Sequence, residues 1–197
     1  AKRWVSKIYM KRQEKDGNLI YYKLNILGFK GGHSGIDIWD EKRGNSIKIV
    51  ADMLNELESI SIAEIKGGSS ENVIPRDIKV VFAIEESERG ILEKLESKFE
   101  ILKKVYGNIE IYLKELEYKE KEEIEIYSKE DTKRLLEYIV NYKNGPLEYD
   151  EEGNVILSGN LGKIESFENY VLLKYSVRYN DKNVGENLVS EIEENME

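Results

Sequence analysis

Along this chain the spacing of apolar residues changes from every second position to every third or fourth and back, and the whole cycle runs twice in the same order. Between residues 19 and 28, Ile20, Tyr22, Leu24 and Ile26 alternate with other residues, the mark of a strand with one buried face. Ile47, Val50, Met53, Leu54 and Leu57 then recur at helical spacing, with Asn45 or Ser46 placed to cap the helix start. Residues 61–66 and 73–84 read as two strands joined by Gly67-Gly68-Ser69-Ser70-Glu71-Asn72. A second helix follows, with Ile91, Leu92, Leu95, Phe99 and Leu102 on its apolar stripe.

The order then returns. Residues 109–116 read as a strand, and a helix over about 130–142 carries Leu135, Leu136, Ile139 and Val140 behind a Ser128-x-x-Asp131 capping signal. Asn144-Gly145-Pro146 stops that helix. Residues 155–158 and 171–179 read as strands around Gly159-Asn160-Leu161-Gly162, and Val184, Leu188 and Ile192 mark a last helix. Each half is therefore βαββα, with the loops 67–72 and 159–162 in equivalent places. The expected fold is α+β: a two-layer sandwich with a mainly antiparallel sheet, helices on one face, and duplicated ferredoxin-like halves. One domain over 1–197 is expected, with its halves at about 1–106 and 107–197.

Composition narrows the function. At 197 residues and 40% hydrophobic, the chain can bury a core of its own. Cysteine is absent, which removes any disulfide framework, thiolate nucleophile or zinc–thiolate site and fits a cytoplasmic protein. A net charge of -9 argues against nucleic acid as a partner. No apolar run approaches the roughly 20 residues of a membrane span, and Ala1-Lys2-Arg3-Trp4 leads into no signal-like apolar core. Trp4, Val5, Ile8 and Tyr9 lie in a segment of mixed charge, and residues 114–130, the densest charge cluster, read as a solvated strand edge and loop.

The chemistry concentrates at Gly31-Gly32-His33-Ser34-Gly35, which holds the only histidine. Flanking glycines let the backbone take positive φ or approach a ligand closely, and an imidazole there exchanges a proton near neutral pH. Without other support, a histidine in such a turn is an ordinary loop residue. One histidine and no cysteine cannot furnish a hydrolytic zinc centre, and no acidic cluster has a distinctive ligand spacing. Walker loops, GxGxxG and G-x-S-x-G elbows are missing, and Ser34 is no catalytic partner of His33, since neighbours on an extended turn point apart. The chain thus reads as a contributor to a site.

The segment Leu27-Gly28-Phe29-Lys30-Gly31-Gly32-His33-Ser34-Gly35-Ile36-Asp37-Ile38 closely resembles the lid-domain motif of aminoacyl-histidine dipeptidases. These are also called cytosolic non-specific dipeptidases, a branch of the dinuclear zinc aminopeptidase-carboxypeptidase superfamily. Further pieces agree in order: Arg43-Gly44-Asn45 at the start of the first lid helix, residues 67–76 as the Gly-Gly to Asn-x-Ile-Pro-Arg loop, and Ser158-Gly159-Asn160-Leu161-Gly162 as the Ser-x-Asn-Leu-Gly strand. Arg178 is similar to the arginine late in such lids, while Trp39 stands where the family often has a second histidine.

The resemblance implies a lid and dimerisation domain, inactive by itself. Two zinc ions or similar divalent metals would sit in a catalytic domain absent from this chain, whose ends fall about where the lid is inserted. His33 would donate to the substrate carbonyl or tetrahedral oxyanion, and this chain would hold no metal. Asn72 and Arg178 would hold the backbone and terminal carboxylate of a dipeptide such as Xaa-His, with Asn160 a further candidate of that kind. The implied partners are the dipeptide, the catalytic domain and a second copy in a homodimer, in the cytoplasm. Whether His33 serves its own or the neighbouring subunit's site stays open. The alternative is a stand-alone ferredoxin-like module that binds a partner or small ligand without catalysis.

Overall fold

The alternating runs pair into one antiparallel sheet. The computed structural model describes residues 1–13, 18–121 and 123–194. Its elements are β1 (Lys2–Tyr9), β2 (Arg12–Gln13), β3 (Leu19–Leu27), β4 (Gly32–His33), α1 (Ser46–Asn55), β5 (Ile60–Gly68), β6 (Val73–Ile74), β7 (Ile78–Glu85), α2 (Ile91–Tyr106) and β8 (Glu110–Glu115). They continue as α3 (Tyr118–Lys121), β9 (Ile126–Tyr127), α4 (Lys129–Asn141), β10 (Gly145–Tyr149), β11 (Val155–Ser166), β12 (Tyr170–Tyr179) and α5 (Lys182–Glu194). The main sheet runs β1-β12-β11-β5-β7-β3-β8, with β10 beside β11; β2–β9 and β4–β6 are two-stranded ribbons.

Period two in the strands and 3.6 in the helices deliver apolar side chains to the same layer. Leu24 and Ile26, Ile62 and Ile65, Val80 and Phe82, Leu161 and Ile164, and Leu173 and Val177 meet Ile47 and Leu54 of α1, Leu95 and Phe99 of α2, Leu135 and Ile139 of α4, and Leu188 of α5 in one buried core. The helices therefore cover one face, as the α+β reading expects. The caps hold too: Asn45 Oδ1 accepts the Ile47 and Lys48 N–H groups, and Ser128 accepts that of Asp131. The side chain of Ile192 lies outside the described residues.

Four local expectations are corrected. The strand at 109–116 does not open a second sheet half; β8 pairs with β3, and the place beside β12 is taken by β1. Alternation reveals that a strand has a buried face and says nothing of its neighbour, and the lysine-rich β1 turns Trp4, Ser6 and Ile8 toward the core, of which two are apolar. Residues 159–162 are no loop but the interior of the 12-residue β11. Their glycines serve close approach, for a Cβ on Gly162 would strike the Ser70 carbonyl and one on Gly159 the Tyr175 hydroxyl. The expected strand 73–84 is broken at Pro75, so that β6 pairs with β4 while β7 stays in the sheet. Within the charged run 114–130, Leu116, Ile126 and Tyr127 are buried, and the first two join Tyr21, Ala63, Val81 and Ala83 in a small cluster on the face opposite the helices.

Only three residue pairs join the two parts of the sheet: Lys163 with Gly68, Ile164 with Gly67, and Glu165 with Lys66. Gly68 has φ +66°, and a Cβ there would run into the Gly162 carbonyl oxygen. Beyond this crossing the wedge is filled by Asn45, whose Nδ2 donates to the Leu161 carbonyl at 2.9 Å and to Asn144 Oδ1 at 3.0 Å. Glu165 ties the crossing on the other side, accepting Lys66 Nζ from β5 and Lys163 Nζ from β11, each at 2.7 Å. Those hydrogen bonds, led by Lys163, pull its carboxyl down to about 2.

Gly68→Ala is expected to cost about 2–4 kcal/mol in urea unfolding, because backbone strain and the carbonyl collision add. Gly153→Ala is the control: φ is +83° and no atom lies within 4 Å of the added Cβ, so only the strain of about 1 kcal/mol applies. Equal losses would remove the crowding argument. The sign for Glu165 follows from its depressed folded value: its contribution is complete above the ordinary 4.5 and is lost as pH falls toward about 2. Glu165→Gln should therefore flatten the acid limb of the stability curve, read by denaturant titrations across that window.

Candidate functional site

The turn after β3 is built to hold one imidazole. Gly31 and Gly32 have φ of +64° and +140°, and the chain then pairs His33 with Val73 across the β4–β6 ribbon. Ser34 N–H donates to the Asn72 carbonyl at 3.0 Å, and the His33 carbonyl accepts the N–H groups of Ile36 and Asp37. The Asp37 carboxylate closes the same turn from the other side. Its Oδ2 accepts His33 N–H at 2.8 Å, and its Oδ1 meets Arg43 Nη2 at 2.9 Å. Arg43 Nη1 in turn donates to the Gly31 carbonyl. One carboxylate and one guanidinium thus fix the backbone on both sides of Gly32. Nearby Asp40 is held below the usual carboxylate range, first by the hydrogen bond from Lys30.

Arg178 arrives from β12, opposite Ser158 of β11. Its Nε lies 3.3 Å from Ser34 Oγ and its Nη2 3.3 Å from His33 Nε2. Gly35 makes the approach possible, since a Cβ there would sit 2.9 Å from three atoms of the Arg178 side chain. The other ring nitrogen, Nδ1, faces Gly35 N–H at 3.2 Å. A neutral imidazole has one accepting nitrogen and one N–H. Gly35 N–H and the Arg178 guanidinium can both only donate, while a neutral ring has a single accepting nitrogen, so the ring accepts from one of these neighbours and turns its own N–H toward the other. His33 Nε2 and the guanidinium are therefore in direct contact. They border a cleft of about 240 Å³ that Ile36, Ser158 and Tyr179 also line.

The expected site residues are separated by this geometry. His33 and Arg178 meet. Asn72 lies beside them through its carbonyl, while its side-chain Oδ1 lies 2.7 Å from Ser70 Oγ. Asn160 is 1% exposed; its Nδ2 donates to the Glu71 and Val73 carbonyls at 2.9 Å each, and its Oδ1 faces Asn45. With its hydrogen-bonding atoms engaged inside the fold, Asn160 braces the loop that backs His33. Trp39 is exposed. Sequence reasoning missed Asp37 and Arg43 as a clamp, although both lie in the quoted motifs. The turn over 33–37, in which the His33 carbonyl accepts the Ile36 and Asp37 N–H groups, folds residue 37 back onto residue 33. Among the described residues no group of three or more His, Cys, Asp or Glu can hold a metal, so these side chains do not fit a metal centre.

Residues 17–110, just under half the chain, match the peptidase dimerisation domain family. The cytosol non-specific dipeptidase of Escherichia coli (strain K12) is 30% identical over 105 residues, 51% of this chain and 21% of that protein. The crystal structure of aminoacylhistidine dipeptidase from Vibrio alginolyticus superposes with a TM-score of 0.89 at 24% identity, over 98% of this chain and 41% of that one. That likeness is one of fold, and this chain spans well under half the length of either relative.

Because the chain has a single histidine, its imidazole is readable alone by ¹⁵N NMR. Arg178→Ala removes one of the two competing donors and should shift the neutral ring toward the Nε2–H tautomer; an unmoved balance would remove Arg178 as a group that sets it.

Proposed function

We propose that this chain, whose residues 17–110 match the peptidase dimerisation domain family, is the lid of a metal-dependent dipeptidase, supplying His33 and Arg178 to substrate held over a catalytic domain outside this chain. The meeting of His33 Nε2 and Arg178 Nη2 at 3.3 Å on the border of one cleft carries the reading. Substrate oxygens that bear or develop negative charge are ligands suited to both side chains. His33 donates to the scissile carbonyl oxygen and strengthens that bond as the oxygen becomes an oxyanion. Arg178 offers two parallel N–H groups to the terminal carboxylate of the dipeptide. Asn72 and Asn160 act behind them, holding the loop against which the His33 turn is paired.

Metal chemistry is assigned to the catalytic domain, with two zinc or similar divalent ions, since this chain's side chains do not fit a metal. Dipeptides, Xaa-His among them, are proposed as substrates because the fold's relative is an aminoacylhistidine dipeptidase and the sequence relative a non-specific one. The lid spans residues 1–197 as one domain and pairs with a second copy. A cytoplasmic setting is supported by the cytosol dipeptidase relative. No described helix is long and apolar enough to cross a membrane.

In the full enzyme, His33→Ala is expected to lower kcat by about 100- to 1,000-fold with KM little changed, the loss typical of an oxyanion donor. Arg178→Ala should act chiefly on KM, because a carboxylate clamp binds ground and transition states alike. Steady-state kinetics on dipeptides separates the two, and unchanged turnover in the histidine variant would sink its role.

A further inference from the structure

The sheet ends in two edges of opposite character. At one end, β1 presents Lys2, Arg3 and Lys7 and no acid, so no register of β1 against a copy of itself brings opposite charges together. Pairing centred on Val5 would even set Arg3 against Lys7. Lysine-rich edges of this kind resist strand addition. At the other end, β8 reads Glu110-Ile111-Tyr112-Leu113-Lys114-Glu115, and only its β3 side is paired. Antiparallel self-pairing about a two-fold axis through Tyr112 sets Glu110 against Lys114, Ile111 against Leu113, and Tyr112 against its own copy. Each pair is complementary in charge or apolar. Tyr112 is 53% exposed, and Ile111 and Leu113 are partly buried at the rim of the core below α2.

The helix above repeats the pattern. Lys98 reaches Glu56, just past the end of α1, which turns one flank of α2 toward α1. Glu96 and Lys103 are exposed on the opposite flank. A two-fold axis normal to the sheet runs α2 antiparallel to its copy, acid toward base.

We propose that β8 is the edge through which two copies of this chain pair, continuing the sheet across a two-fold axis at Tyr112. The proposal rests on the pairing stated above and locates it. Sedimentation equilibrium of this chain tests it, with circular-dichroism melting to show that each variant keeps the fold. Lys114→Glu places Glu against Glu twice per dimer and should raise the dimer Kd about tenfold or more. Adding Glu110→Lys to that variant restores opposite charges and should bring Kd back to near the parent value. Lys7→Glu on β1 should leave it unchanged. A chain that stays monomeric at high concentration overturns the pairing itself. A dimer that ignores Lys114→Glu, or that responds to Lys7→Glu instead, overturns only the location.

Discussion

The contact on which the rest of the molecule depends is the crossing of β5 and β11. Three residue pairs carry it, and two glycines, Gly68 and Gly162, let the backbones approach there. Because His33 hangs from the first half and Arg178 from the second, their separation is set by this crossing and not by either half alone. The two halves meet through equivalent strands, each the partner of its own hairpin in the order β12-β11 and β5-β7. A site assembled across such a seam needs both halves registered to within an ångström, and Asn45, Asn144 and Glu165 supply that registration with directional bonds.

The core was plain in the sequence because period two and period 3.6 are direct projections of burial. Ile20 to Ile26 and Leu135 to Ile139 announce their elements before any contact is known. Pairing partners were not plain. β8, expected to open the second half, pairs with β3, and residues 2–9, read only as a segment of mixed charge, form the strand beside β12, since a strand's pattern encodes a buried face and leaves its neighbour to the whole sheet. Glycine carried two meanings that local reading confuses. At Gly31 and Gly32 it marks a turn, whereas at Gly159 and Gly162 it marks a strand crowded by another chain segment.

The same division holds at the site. His33 stood out by its rarity and its glycines, and Arg178 through resemblance. Asp37 was invisible as a clamp because its carboxylate reaches His33 N–H only through the 33–37 turn, into space that the missing Cβ of Gly32 leaves open. Asn160 shows what the sequence hides about surroundings: burial beneath residues 71–73 commits its amide N–H groups to main-chain carbonyls.

The placement of β1 bears on how the molecule comes together in time. Lys2 to Tyr9 pair with Val177 to Tyr170, so this strand waits for one made more than 160 residues later. Residues 19–115 hold all the strands of the β5-β7-β3-β8 group and can condense as they emerge. The outer strand of the other group closes a loop of more than 160 residues, the kind of distant contact that slows folding. Trp4 and Ile8 remain without their core through most of synthesis, on a segment whose lysines discourage other strands from adding to it in the meantime.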